Sequence, residues 1–243
     1  MKALDAAIMA PMDPELRQRM LAYYNDRAPE YEEAYTLGTG TASIPEPEVF
    51  KTEARVLEGI VGRVAHGSLM DLACGTAYWL PHYAASCSRI TLFDQSDRML
   101  AEARAKASRL GILARCEFVH GDFFEHDFAP HSHDTALVGF FLSHLTEAQE
   151  CVLFDALRTL LASAGRFLIL DSAWSPERAK FNSKVERQPR QLTDGTPFEI
   201  YKRYCDRDDV SRWAREHDAE LRIEHFGLAF YAVSGVFGRR PGR

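Results

Sequence analysis

The 243-residue sequence has few cysteines, and Cys74, Cys87, Cys116, Cys151 and Cys205 are scattered, with no CxxC pair. That set excludes a disulfide framework and suits reduced, mostly buried thiols in a cytoplasmic protein. No stretch approaches the roughly 18 consecutive apolar residues of a membrane span, so no membrane partner is expected. The start, MKALDAAIMAPMD, has one lysine and an apolar stretch broken by Asp5, unlike a signal peptide. Positive charge is not in excess: 29 Lys and Arg against 35 Asp and Glu give a formal charge of −6. An acidic chain has no electrostatic reason to collect on phosphate backbones, so no nucleic-acid partner is expected either. Internal repeats and low-complexity tracts are also missing.

What remains is ordinary globular composition, 46% hydrophobic and 26% charged. A chain of this length buries about three quarters of its unfolded surface, so its core needs neither disulfide nor metal. Asp13-Pro14-Glu15 starts a helix that carries Leu16, Met20, Tyr23 and Tyr24 and ends near Ala28-Pro29. A second helix, Glu48 to Val64, repeats apolar residues close to a 3.6 period. Strands and helices then alternate. Strands are expected at Ser68–Ala73, Arg89–Asp94, Arg115–His120, Thr135–Leu142 and Arg166–Asp171. Ser96 caps the helix after the second strand, and Thr146 with Gln149 forms a capping box that opens a helix to about Ala162. Such alternation implies right-handed βαβ units and a parallel sheet covered on both faces.

The rhythm breaks at residues 173–210, which are highly charged yet seeded with aromatics, with Pro197–Tyr204 as an extended strand. A helix from about Asp208 to Glu216 and two closing strands, near Leu221–Gly227 and Ala229–Phe237, end the chain. The expected organisation is an N-terminal helical lid and lead-in helix (1–66), a core (67–175), a cap insert (176–207) and the last helix with its closing strands (208–243). The fold class is α/β: a Rossmann-like, doubly wound, mostly parallel seven-stranded sheet with helices on both faces and a closing antiparallel hairpin.

The chemistry collects at strand ends. The first strand runs into Ala73-Cys74-Gly75-Thr76-Ala77, side chains too small to fill space. In an open parallel sheet ligands bind beyond the carboxyl ends of the strands, and a loop of small residues lets one approach the backbone. A tight turn packed on the sheet is the competing account. The second strand ends in Phe93-Asp94, an acid suited to gripping two ribose hydroxyls, and the third in Gly121-Asp122-Phe123. Three such ends converging describe a nucleoside-shaped site.

These motifs carry a resemblance. DLACGTA resembles the first motif of class I S-adenosylmethionine-dependent methyltransferases, FDQSDRML the second and HGDFF the third. HDTALVGFFLSHL is similar to the fourth-strand motif, and YYNDRAPEYEEAY to the segment that leads into the family's core. The likeness covers about residues 20–175; Ala73 and Ala77 stand where the family usually has glycine. It implies S-adenosyl-L-methionine as cofactor, S-adenosyl-L-homocysteine as product and no metal. It also implies roles: Asp71 and Ala73, Cys74, Gly75 and Thr76 at the methionine amino end, Asp94 with Gln95 at the ribose, and Met99 on the adenine face. Asp122 would accept from the adenine amino group, with Gly121 and Phe123 beside it. Gly139 and Phe140 would line the methionine side, and Tyr23, Tyr24 and Tyr31 would close over the cofactor as a lid, with ordinary amphipathic packing as the competing account.

The acceptor side is less defined. His144, just beyond the fourth strand, is a candidate general base; the alternative is a histidine that only shapes the cavity. Tyr23, Phe141, Trp174, Phe181, Phe198, Tyr201 and Tyr204 are candidate substrate walls. Ordinary packing is the alternative for several of them. Arg187, Arg190, Lys202 and Arg203 read first as a solvated face, second as a grip on an anionic group. His126, His131 and His133 have no fourth ligand in a recognisable spacing, which favours a solvated loop over a metal site. GFFL stands where base-modifying relatives carry Asn/Asp-Pro-Pro-Tyr, which points away from nucleic-acid amines. The expected partner is a small, aromatic or heterocyclic methyl acceptor, taken by a monomer or homodimer. A non-catalytic S-adenosylmethionine-binding scaffold and a nicotinamide oxidoreductase are the alternatives, the latter disfavoured because GTAYWL is not GxGxxG.

Overall fold

The computed structural model describes residues 12–33 and 47–238. The lead-in segment between them, including Tyr35, lies outside the described residues.

Helix α1 (Pro14–Arg27) starts as its sequence requires: the Asp13 carboxylate accepts from the Glu15 N–H at 3.0 Å, and Pro14 fills the first position. Its buried residues Leu16, Met20 and Tyr23 pack on Ile200 of the insert rather than on the main sheet. Helix α2 (Pro47–Val64) buries Phe50, Ala54, Leu57, Ile60, Val61 and Val64, one stripe at helical spacing.

Seven strands form the main sheet: β1 (Gly67–Leu72), β2 (Cys87–Asp94), β3 (Cys116–His120), β4 (His133–Gly139), β5 (Leu161–Ser172), β8 (Ala219–Phe226) and β9 (Phe230–Phe237). Their order is β3-β2-β1-β4-β5-β9-β8. The first five run parallel, and β9 is antiparallel to both of its neighbours. Alternate residues feed opposite cores. Leu69, Leu137, Leu168 and Leu170 join α2, α3 (Leu80–Tyr83) and α4 (Asp97–Arg109) on one face. Met70, Leu72, Val138, Phe167 and Ile169 join α5 (Glu147–Leu160) and α6 (Arg207–Glu216) on the other. Strands buried on both faces read as near-continuous apolar runs, which is how LMDL, LVG and FLILD appear in the sequence, interrupted only by Asp71 and ended by Asp171.

Both sequence-read caps form: Ser96 Oγ accepts from the Met99 N–H at 3.1 Å, and Thr146 and Gln149 bond reciprocally. Strand β5 begins five residues before the expected Arg166, because Leu161 already pairs with His133 across a register shift. The insert contains an unforeseen strand, β6 (Val185–Gln191), hairpin-paired to β7 (Pro197–Arg203). Pro189 lies within it, a residue that cannot donate to a ladder. In a two-stranded ribbon each strand keeps one free edge, where a missing N–H costs no ladder bond. Among the described residues no helix is long and apolar enough to cross a membrane.

Candidate functional site

Strand order reverses between β1 and β4, and the first cavity opens beyond the carboxyl ends of β1 to β4. The turn after β1 has φ near +53° at Ala73, +54° at Gly75 and +54° at Ala77. Left-handed alanines cost roughly 1–2 kcal/mol each, so the surroundings must hold them. They do: Cys74 N–H donates to Phe93 O at 2.9 Å, Gly75 N–H to Asp94 Oδ2 at 2.8 Å and Ala77 N–H to Cys74 O at 2.9 Å. Ala73 and Gly75 face the cavity, whereas Cys74 and Ala77 point into the core and Thr76 donates to Glu32 at 2.7 Å.

Asp94 is buried, and its second oxygen accepts from Ser96 N–H at 2.8 Å. Burial raises its pKa while these backbone donors oppose the rise. Around it stand Gln95, Met99, Gly121, Asp122 and Phe123 from the next two strand ends. Asp122 is paired with Arg17 of α1, so the N-terminal helix is fastened across the mouth. A side chain at Gly139 would put its Cβ 2.7 Å from Trp79 Nε1, so this wall is necessarily bare backbone. The empty space is about 870 Å³, open mouth included. A buried carboxylate for a diol, apolar faces at Met99, Phe93 and Phe123, and backbone walls at Gly75 and Gly139 together fit an adenosyl group.

A second cavity, about 650 Å³ with its mouth, shares Tyr24, Tyr31, Phe140 and His144 with the first. These residues form the waist between them. His144 Nδ1 lies 2.8 Å from Tyr201 O, and a carbonyl only accepts, so Nδ1 carries the hydrogen. Nε2 therefore accepts from the Tyr24 hydroxyl at 2.7 Å. Burial, reinforced by Lys202, lowers the His144 pKa to about 3, so the ring is neutral. The Tyr24 hydroxyl is pushed well above its usual range, chiefly by burial.

Not every expected wall residue reaches a cavity. Asp71 lies beneath the turn, accepting from Tyr83 at 2.8 Å, with no place on the cavity wall. Tyr23 and Phe198 pack on each other with ring centroids 5.3 Å apart, joining α1 to the hairpin. Trp174 lies tilted beside Tyr204, ring centroids 6.0 Å apart, and Phe181 is 60% exposed. Tyr201 contributes its carbonyl, not its ring. Phe141 lines the first cavity and Tyr204 the second. His126, His131 and His133 have separate partners: the Phe93 ring, Leu161 O and Thr91 with Ser132. The residues missed are Arg27 and Arg178, which line the second cavity beside Arg190 and Lys202. Their only sequence signal was charge in segments rich in charge.

Residues 69–165 match a family described as a methyltransferase domain. The chain is 22% identical over 187 residues to an uncharacterized methyltransferase of Bacillus licheniformis, covering 75% of this chain and 80% of that one. Among solved structures it resembles a DhpI complex with SAM and HEP, with TM-score 0.74 at 24% identity over 93% of this chain and 99% of that one. The glycopeptide N-methyltransferase MtfA gives TM-score 0.58 at 17% identity, over 77% and 90% of the two chains.

Proposed function

We propose, from the premise that the chain belongs to the class I S-adenosylmethionine-dependent methyltransferases, that it methylates an O or N atom of a small molecule seated in the second cavity. The observation that carries this reading is the shared waist of Tyr24, Tyr31, Phe140 and His144 between the two cavities. S-adenosyl-L-methionine supplies an electrophilic methyl group on a sulfonium. The residues supply position. On this reading Asp94, with Gln95, holds the ribose diol, Met99 and Phe123 flank the adenine, and Ala73, Gly75, Gly139 and Phe140 back the methionine end. Asp71 supports the turn from below. In-line transfer then needs the acceptor lone pair about 3 Å from the methyl carbon, which the waist would enforce. Phe50, Phe140, Tyr204 and Phe230 give the second cavity ring walls, which supports a flat, aromatic or heterocyclic acceptor. All five cysteines are free, which supports a cytoplasmic enzyme.

His144 fits a positioning role better than that of a base. Its neutral ring is already committed to Tyr24 and Tyr201, so it orients the Tyr24 hydroxyl at the waist. The test is isothermal titration of S-adenosylhomocysteine, followed by turnover of S-adenosylmethionine against a metabolite panel read by mass spectrometry. Binding with a product heavier by one methyl group supports the reading. NADH binding in place of S-adenosylhomocysteine overturns it.

A further inference from the structure

The second cavity has an unusual charge. Arg27, Arg178, Arg190 and Lys202 line it, and none of its described lining residues is acidic. Arg27, Arg178 and Lys202 are only 9%, 2% and 7% exposed. Buried cations are costly unless paired, and elsewhere this chain pairs them: Arg203 meets Glu150 directly. Here the pairing is thin. Asp171 is 3.5 Å from Lys202, but its oxygens already accept from Ser143 N–H at 2.9 Å and Ser172 N–H at 2.7 Å. Arg178 spends its Nε and one Nη on the carbonyls of Ala173 and Ala229, at 2.7 and 2.9 Å. Arg27 Nε is buried with no hydrogen-bond partner. Positive charge gathered at the acceptor side of the waist is left for a ligand to balance.

We propose that the acceptor bears an oxyanion, a phosphoryl or carboxylate group held by Lys202, Arg178, Arg27 and Arg190, and that an oxygen of that group takes the methyl group. This rests on the methyltransferase reading above. The absence of a base follows from it. An oxyanion arrives deprotonated, whereas the one imidazole at the waist has its Nε2 lone pair engaged by Tyr24. In the step, an oxygen lone pair forms the new O–C bond. The S–C bond breaks with its electron pair left on sulfur, and no proton moves. The sulfonium positive charge and one negative charge of the acceptor disappear together, which a dry cavity favours over water. The product ester carries one negative charge fewer, so the same cations hold it less and it leaves.

The test uses the full chain saturated with S-adenosylhomocysteine, titrated with methylphosphonate and with acetate as phosphoryl and carboxylate probes. Turnover is then measured on alkyl phosphonates, phosphate monoesters, carboxylates, neutral phenols and heteroaromatic amines. The expected result is methylation of one anionic class. Lys202→Met should lower kcat/KM for it at least about tenfold, the scale of losing a buried charge contact, while S-adenosylhomocysteine binding stays within about twofold. Arg178→Gln also cuts two backbone bonds and is expected to unfold, so the half-buried Arg190→Gln serves as the second variant. Turnover confined to neutral phenols or amines, with Lys202→Met unaffected, overturns the oxyanion. If no panel member reacts, failure of both probes to bind overturns it as well. Loss of S-adenosylhomocysteine binding would instead sink the methyltransferase reading itself.

Discussion

The two cavities meet at one waist but are built in different ways. The first is walled chiefly by the ends of parallel strands and the turns after them, at Ala73 and Gly75 and in the runs 93–96, 121–124 and 139–141, with Met12, Arg17, Met20, Leu21, Tyr24 and Tyr31 closing it from the N-terminal side. The second takes Arg27 from α1, Phe50 from α2, Arg178 from the turn after β5, Lys202 from β7 and Phe230 from β9. A sheet edge fixes backbone, and backbone fixes which few residues can face a nucleoside. The second cavity has no such frame; its walls are whatever the N-terminal helix and the hairpin bring over the sheet. A cofactor common to a family suits the first construction, and a ligand particular to one member suits the second.

The largest expected effect tests whether the cavities are separable. Asp94→Ala removes the carboxylate nearest the proposed ribose position and should weaken S-adenosylhomocysteine by about 1.5–3 kcal/mol, the scale of charge-assisted hydrogen bonds. Calorimetry reads this directly. Lys202→Met should leave the same titration unmoved. If both variants lose cofactor affinity together, the cavities act as one site and the contrast collapses.

Legibility in the sequence followed the same division. The DLACGTA turn, the Ser96 cap and the Thr146–Gln149 box could be read because each depends on residues within a few positions of one another. Strand β6 could not, because Pro189 signals against a strand and only the pairing with β7, whose partners lie six to eighteen residues on, rescues it. Tyr201 was noticed for its ring, yet it acts through a carbonyl, which every residue owns. Arg178 sits among other charges in a segment whose composition suggests solvent; only burial under Tyr204, with its guanidinium 4.3 Å from the ring centroid, separates it from its neighbours. Sequence shows a charge but not the depth at which the chain will bury it.

A second expectation concerns the support beneath the turn after β1. Burial raises Asp71 to about 7, with Tyr83 opposing and Asp94 adding to the rise. A carboxyl whose folded pKa lies above its unfolded value near 4 contributes stability that is present below pH 4 and lost as pH rises through 7. The slope is at most about 1.4 kcal/mol per pH unit. In urea unfolding of the cofactor-free chain, Asp71→Asn should gain on the wild type between pH 5 and pH 8. A gap that stays constant across that range would mean Asp71 is ionised in place and compensated.

At the waist the expected effect is smaller. Burial above all lowers the His144 pKa to about 3 in the folded chain against about 6.5 unfolded, with Lys202 and Arg190 also disfavouring its charge and Asp171 and the Tyr201 carbonyl favouring it. The unfolded chain therefore takes up this proton first, and stability attributable to His144 falls only as pH drops from about 6.5 toward 3. Between pH 6 and 8 kcat/KM should show no limb assignable to His144. His144→Asn should cost less than about tenfold in kcat, a loss of positioning rather than of the 10²–10⁴ that general-base catalysis contributes. A lost acid limb in that variant would restore the histidine as a base.

The smallest expected effect is at Phe181, whose ring is 60% exposed and belongs to none of the three buried clusters. Its sequence neighbourhood, aromatic among charges, is the same as that of Tyr204, which is 1% exposed and lines the second cavity. The pair isolates depth from composition. Phe181→Ala should move stability, cofactor affinity and acceptor kcat/KM each by less than about 0.5 kcal/mol, the usual range for surface positions. Tyr204→Ala should cost several times more, because it opens the second cavity beside Arg178 and strips a hydrogen-bond partner from Gln188, 2.6 Å from its hydroxyl. Equal effects from the two substitutions would mean that the insert folds down over the acceptor during turnover and brings Phe181 with it. The second cavity would then be a moving chamber, unlike the fixed one the sheet builds.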